Sequence, residues 1–338
     1  MRIDNRYTVL TGIRYPIVQE GLGLSRTARL AAAVSSAGGL GSVSIPGISG
    51  DLDAVARGFR AEIERCAALA GAPFAVNIPA GTDADGALLP FTDVLLRTVL
   101  EARRSDSAIA RLLTVVTTSA GDPRPFVGVV KDAGLVHQHK VGSTRHAERA
   151  AAAGVDVLIA CGYEAGGHTS AQRMHSFVLM PNIADAVDIP VLLSGGVRDG
   201  RGLAAAICLG ADGVAMGTRF VATHDNAEWH ARFIDAVISM GEGDDIAFSG
   251  NYGPCRGRRN EVTELLARSA TDGHGDAASI STKLESMRRA QDEGRVEDSI
   301  VLAGQVASGI TGRVLVADLL QEMVADATRL LGRSIAAA

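Results

Sequence analysis

The stretch Val191–Phe220, VLLSGGVRDGRGLAAAICLGADGVAMGTRF, decides the fold. It opens with a short apolar run, Val191-Leu192-Leu193, which stops after Ser194 at Gly195-Gly196. A helical apolar pattern follows over Leu203–Leu209, then a second buried run, Gly213–Met216, closed by Gly217-Thr218. Strand, glycine turn, helix, strand, glycine turn is the pattern of parallel strands joined by helices. Turns at the carboxyl ends of consecutive parallel strands lie side by side, and glycine lets backbone N–H groups come close to a ligand. In a (β/α)8 barrel the loops after the last two strands are the usual phosphate site. The stretch therefore predicts an α/β chain folded as a (β/α)8 TIM barrel, with a phosphate held between its last two turns.

Working outward, six more strand-and-helix units precede this one. Tyr15–Gln19 reads as the first strand, with Glu20–Gly23 as its loop and Arg26–Ala37 as its helix. Gly21-x-Gly23 resembles the start of a dinucleotide fingerprint, but the third glycine and the acidic strand end are missing, so a Rossmann fold is set aside. Leu40–Ile45, Phe74–Asn77, Leu113–Val116, Val136–Lys140 and Val157–Ala160 complete the first six strands. The Gly- and Pro-bearing segment Ile78–Phe91 reads as a loop over the barrel mouth. Beyond residue 223 the pattern changes to helices alone: Glu228–Met240, Glu261–Arg268, Thr282–Glu293 and Leu315–Leu331. The expected organisation is a barrel over 1–222, a helical cap over 223–304, and a closing helical segment, 305–335, packed back on the barrel.

Bulk composition narrows the function. Of 338 residues, 47% are hydrophobic and only 4% aromatic, which suits buried parallel strands under Ala-rich helices. The net charge of −5 is spread without runs, so no nucleic-acid footprint is expected. Cys66, Cys161, Cys208 and Cys255 are far apart and form no CxxC pair, which predicts reduced thiols and no metal site. Arg2, Asp4 and Arg6 interrupt the amino terminus and no long apolar window follows. Neither a secretion signal nor a membrane span is therefore expected, and the chain reads as cytoplasmic.

Polar residues at the ends of parallel strands face the barrel mouth. Here they are Gln19, Asn77, Lys140, the Glu164–His168 loop, Ser194-Gly195-Gly196 and Gly217-Thr218. The set lacks the paired carboxylates of a glycosidase, a metal cluster and a GxSxG elbow. A phosphate cradle with little acid–base machinery suggests that a bound cofactor carries the chemistry. Lys140 either meets that ligand or pairs with Glu164. Glu164 itself either orients a partner or caps a helix. Arg256-Arg258-Arg259 reads as a solvated basic turn, with contact to a substrate phosphate as the alternative.

Gly162-Tyr163-Glu164-Ala165-Gly166-Gly167-His168 resembles the GxEAGGH signature of the nitronate monooxygenase (2-nitropropane dioxygenase-like) family of FMN-dependent barrels. Asp199–Phe220 is similar to that family's second block, and Pro16–Gly23, Ala37–Gly41 and Phe74–Asn77 to its first ones. Ala303–Ala307 resembles its C-terminal GQ element, and His139-Lys140 with Thr144–Ala147 is similar to a run in its NADH:quinone reductase branch. The resemblance implies FMN held by Gln19, Gly21, Asn77, Lys140, Gly166, Gly167, Ser194, Gly195, Gly196, Met216, Gly217 and Thr218. It places His168 over the flavin as the substrate-facing base or hydrogen-bond donor. It implies oxidation of alkyl nitronates of the propionate 3-nitronate type with O2. The alternatives are an NAD(P)H-dependent reductase of quinones or enoyl thioesters, and a barrel that binds a flavin or phosphate ligand without turnover. Glu20–Gly23 departs from the family, which carries a methionine there, and Thr169-Ser170 departs after the histidine; both departures bear on substrate choice. The expected partner is a small-molecule substrate, with NAD(P)H as donor and a homodimer left open.

Overall fold

The computed structural model describes residues 3–332 apart from 49, 84, 252 and 269–276, with backbone alone for 277–279. The last residues of the predicted closing segment, 333–335, lie outside that range.

Eight parallel strands form the barrel: β1 (Ile17–Gln19), β2 (Gly41–Val43), β3 (Phe74–Pro79), β4 (Leu113–Ser119), β5 (Val136–Val141), β6 (Val157–Cys161), β8 (Val191–Ser194) and β9 (Gly213–Met216). Three further strands, β7 (Gly167–His168), β10 (Asp245–Ser249) and β11 (Pro254–Arg258), make a separate antiparallel sheet. The barrel order is β1-β9-β8-β6-β5-β4-β3-β2, with registers such as Ile17↔Val214 and Cys161↔Ser194. Closure comes from a Val18↔Leu40 bridge, with Gln19 N–H donating to Leu40 O at 2.9 Å and Leu40 N–H to Ile17 O at 2.9 Å. Small and branched side chains fill the interior: Val18, Leu40, Ala75, Val115, Ile159, Leu192 and Ala215. The outer layer buries strand residues such as Val76, Val116 and Leu158 against the surrounding helices.

A helix over Arg6–Thr11, which the sequence did not announce, closes the amino-terminal end. Asn5 and Thr8 form a reciprocal cap at its start, and Gly12 ends it in the left-handed region at φ 74°. Arg6 pairs with Asp212 at 2.8 Å, just before β9. Tyr7 is fully buried among the interior residues, and its hydroxyl donates to Gln138 Oε1 at 2.6 Å. Truncation would leave both a cavity and an unpaired carboxamide oxygen. Tyr7→Ala is expected to cost about 3–5 kcal/mol, and Tyr7→Phe about 1–2 kcal/mol. Denaturant unfolding checks both; a Tyr7→Phe chain as stable as the wild type would show that the hydroxyl contributes nothing.

The sequence-predicted loop Ile78–Phe91 is shorter than expected, since β3 runs through Pro79 and a helix begins at Pro90. The helix Val316–Leu331 packs on the barrel helices Gly200–Cys208 and Ala28–Ser36. Gly200 is needed there: a Cβ on it would stand 2.7 Å from Met323 O. The expectation of helices alone beyond residue 223 is corrected by β10 and β11, which add the β7 segment as a third strand through Cys255↔His168 and Arg256↔Gly167. The hairpin is short and its strands lack apolar alternation, so neither period announces it.

Candidate functional site

Because all eight barrel strands run the same way, their carboxyl ends share one face, and the predicted site residues gather there. Two connected hollows result. A small cavity of about 90 Å3 is lined by Gly195, Gly196, Gly217 and Thr218, together with Ser194, Met216, Gly166 and Gly167. A larger cleft of about 320 Å3 is lined by Gln19, Asn77, Lys140, His168 and again Gly166 and Gly167. Glu20, Gly21, Gly23 and Leu302 line both, so the two are continuous.

Backbone geometry sets the cavity end. Gly195 and Gly196 lie at φ 93° and 78°, where only glycine is unstrained. Gly217 precedes the short helix Thr218–Val221, and the first N–H groups of a helix have no partner within it. The Thr218 hydroxyl accepts from Gly304 N–H at 2.9 Å. Gly304 in turn presses on the signature loop, since a Cβ on Gly166 would stand 2.5 Å from Gly304 N. Gln305 N–H donates to Glu164 O at 3.0 Å, so the C-terminal GQ element clamps that loop to the barrel. Trp229, which sequence reasoning did not select, also lines the cavity; its indole N–H donates to Arg26 O at 3.1 Å.

Several side chains differ in their partners from the sequence reading. Lys140 pairs with Glu20 at 2.5 Å, not with Glu164. Burial opposes the Lys140 charge, but the neighbouring Cys161 sulfur and the Glu20 carboxylate outweigh it and raise its pKa. Glu164 is a cap: its carboxylate accepts from Ser176 N–H at 3.0 Å and from the Ser176 hydroxyl, at the start of the helix Ser176–Ala184. Gln19 reaches the cleft fully buried, and its carboxamide is engaged with the Ser42 backbone at 3.0 and 3.1 Å. Gly21 is required by packing, because a Cβ there would stand 2.6 Å from Asn77 Cγ. Arg256 is not on a solvated turn but is buried in β11, paired with Asp245, bonded to Tyr163 O at 3.0 Å and stacked 4.7 Å over the Tyr163 ring. Arg259 stays exposed.

His168 sits on β7, held by the Cys255 pairing and by Thr169 N–H donating to Pro254 O at 2.8 Å. Burial, and then the positive charges of Lys140 and Lys283, push its pKa down to about 4. The imidazole is therefore neutral at neutral pH, able to take a proton or to offer an N–H.

A second group of histidines is structural. Thr118 Oγ1 lies 2.8 Å from both His137 Nε2 and His139 Nδ1, and His139 Nε2 lies 3.2 Å from His146 Nε2. Burial lowers His137 to about 4 and His139 to about 3. Unfolding restores their ordinary value of 6.5, so the unfolded chain takes up protons first. Stability from these groups is complete above pH 6.5 and falls as the pH drops through 4 toward 3. Denaturant midpoints measured against pH should be flat above that window and decline within it; a rise on acidification would contradict the assignment.

Among the described residues, no group of three His, Cys, Asp or Glu could hold a metal. No described helix is long and apolar enough to cross a membrane.

A parallel barrel with a glycine cradle, a partly buried lysine and a neutral histidine at one mouth has the layout of a barrel oxidoreductase. The chain belongs to the nitronate monooxygenase family, whose model matches residues 4–326. It is 35% identical over 297 residues to the (3aS,4S,5R,7aS)-5-hydroxy-7a-methyl-1-oxo-octahydro-1H-indene-4-carboxyl-CoA dehydrogenase of Mycobacterium tuberculosis (strain ATCC 25618 / H37Rv), covering 86% of this chain and 76% of that one. A probable nitronate monooxygenase of Staphylococcus saprophyticus is 31% identical over 298 residues, covering 79% and 81%. The solved structure of FabK from Thermotoga maritima superposes with a TM-score of 0.84 at 29% identity, covering 97% of each chain. The family is one of flavin enzymes, and the chain is an oxidoreductase.

Proposed function

We propose that this oxidoreductase uses FMN and acts on a bulky, mostly apolar acyl group carried as a thioester. The observation that carries the reading is the cleft before His168. At about 320 Å3 it falls within the range of about 300–1,000 Å3 usual for a ligand site, and Ile45, Ile48, Leu284, Met287 and Leu302 give it an apolar side. An apolar acyl group would cover that side, whereas a small nitronate would leave it wet. The name of the Mycobacterium tuberculosis relative, a carboxyl-CoA dehydrogenase, supports the same reading.

The residues present fit FMN. Gly195, Gly196, Gly217 and Thr218 would hold its phosphate, while Asn77 and Lys140 would hold the ring. Glu20 Oε1 and Ser42 Oγ, both buried without a partner on the cleft side, suit the polar edge of such a ring. Bound FMN supplies hydride or single-electron transfer. The chain's own part is to keep Lys140 charged at the ring, to exclude water with the GQ element, and to present a neutral His168 to the substrate.

Oxidation of an alkyl nitronate with O2 is a second reading, favoured by the two lysines that act on His168, which would draw an anion. Anaerobic mixing of holoenzyme with NADH, NADPH and propionate 3-nitronate separates the two. Bleaching by a pyridine nucleotide and recovery of colour on adding an enoyl-CoA supports the first reading. Bleaching by the nitronate alone supports the second, and no bleaching contradicts both.

A further inference from the structure

The turn between β10 and β11 carries a polar group that the rest of the described chain leaves unsatisfied. Asn251 is 1% exposed and lines the cleft, yet neither its Oδ1 nor its Nδ2 has a partner. Its position is fixed from behind. Gly250 N–H donates to Gly253 O at 2.9 Å, and the buried Lys283 ammonium donates to Gly250 O at 3.2 Å. Gly250 also lets the chain pass close to Cys255, whose Sγ would stand 2.2 Å from a Cβ there. Cys255 is the residue that pairs with His168. The unpartnered carboxamide and the imidazole therefore belong to one wall of the cleft. A buried amide with both atoms unpaired is costly in an apo chain and is satisfied by what binds there.

We infer that Asn251 recognises the primary carboxamide of a nicotinamide dinucleotide, an inference that rests on the oxidoreductase reading above. A side-chain amide presents a donor and an acceptor side by side, and both are satisfied at once only by a partner with the complementary pair on one edge. A nitronate, a quinone or a thioester carbonyl offers acceptors alone and would leave Oδ1 unpaired. The secondary amides of a thioester's carrier arm point their N–H and C=O in opposite directions. The carboxamide of nicotinamide presents both on one edge, and Leu284 and Met287, which line the same cleft, suit its flat ring. Lys283 is a positioning residue that holds the turn from which Asn251 projects.

The test is equilibrium binding to the oxidised holoenzyme, read by calorimetry without turnover. NAD+ and NADP+ are each compared with the matching 3-acetylpyridine dinucleotide, in which a methyl group replaces the amide NH2. The wild-type chain should prefer the carboxamide by about tenfold or more, the effect of one unpaired buried hydrogen-bonding group. Asn251→Ala should abolish that preference with FMN content and melting temperature unchanged. Asn251→Asp keeps the acceptor for the amide NH2 and loses only the donor to the carbonyl that both dinucleotides share, so it should weaken both while keeping the preference. A preference that survives in Asn251→Ala, or that is lost in Asn251→Asp, overturns the inference and leaves the amide to water. Loss of FMN from the variants overturns it in favour of the flavin's own lactam edge, and failure of the wild-type chain to bind any dinucleotide overturns it outright. Failure of the oxidoreductase reading shows separately, as a holoenzyme that no donor reduces.

Discussion

Replacing His168 with alanine is expected to lower turnover by about 10²–10⁴-fold, the usual worth of a positioned acid–base group, while FMN remains bound. The expectation follows from how the side chain is carried. β7 is held through its backbone, by the pairing with β11 and the bond from Thr169 N–H to Pro254 O, so removing the ring leaves the strand in place. The predicted phosphate contacts lie at the other end of the hollow, at Gly195, Gly196, Gly217 and Thr218. His168→Asn separates the two roles open to a neutral imidazole. Asparagine keeps an N–H donor and should retain part of the activity if His168 orients the substrate. It should be as damaged as alanine if His168 moves a proton. Parallel loss of flavin and turnover would make the residue structural.

Gly195→Val should yield a folded chain nearly free of flavin. At φ 93° a β-branched residue is strained by about 1–2 kcal/mol, and its Cβ would stand 3.2 Å from Gly162 O and from Ala165 Cβ in the signature loop. The turn must shift, and its N–H groups no longer converge on the phosphate. Hydrogen bonds to a charged group contribute about 1.5–3 kcal/mol each, so losing two weakens FMN binding by about 10²–10⁴-fold. Flavin absorbance per chain after purification, with far-UV circular dichroism for the fold, checks this. Gly128→Ala is the matched control, because a Cβ there meets open space. Retention of flavin by Gly195→Val would remove that turn from the phosphate site.

Much of the barrel is legible in the sequence because its strands are buried on both faces, so short apolar runs between glycines mark them without ambiguity. Val191–Ser194 and Gly213–Met216 fall where the glycine turns place them. The site is legible to the same depth, since a strand's last polar residue must face the mouth; Asn77, Lys140 and Ser194 all line the hollows. What the sequence does not carry is pairing at long range. Nothing local distinguishes Glu20 from Glu164 as the partner of Lys140, and only the folded strand ends decide it. The tail hairpin escapes notice because Asp245–Ser249 and Pro254–Arg258 lack alternation, and β7 has only the two residues Gly167 and His168. Arg256 misleads for a related reason. Next to Arg258 and Arg259 it reads as solvated, although Tyr163 and Asp245 bury it. Tyr7, an isolated aromatic in a polar segment, gives no sign that it fills the barrel floor.

The central claim is that the turns at Gly195-Gly196 and Gly217-Thr218 hold the phosphate of a flavin whose ring lies between Lys140 and His168. Titration of the flavin-free chain with FMN and, separately, with riboflavin tests it most directly, because the two differ only in that phosphate. Binding of FMN at least about 100-fold tighter than riboflavin is expected from a charge-assisted cradle. Equal affinity for the two, or no binding of either, would contradict the account.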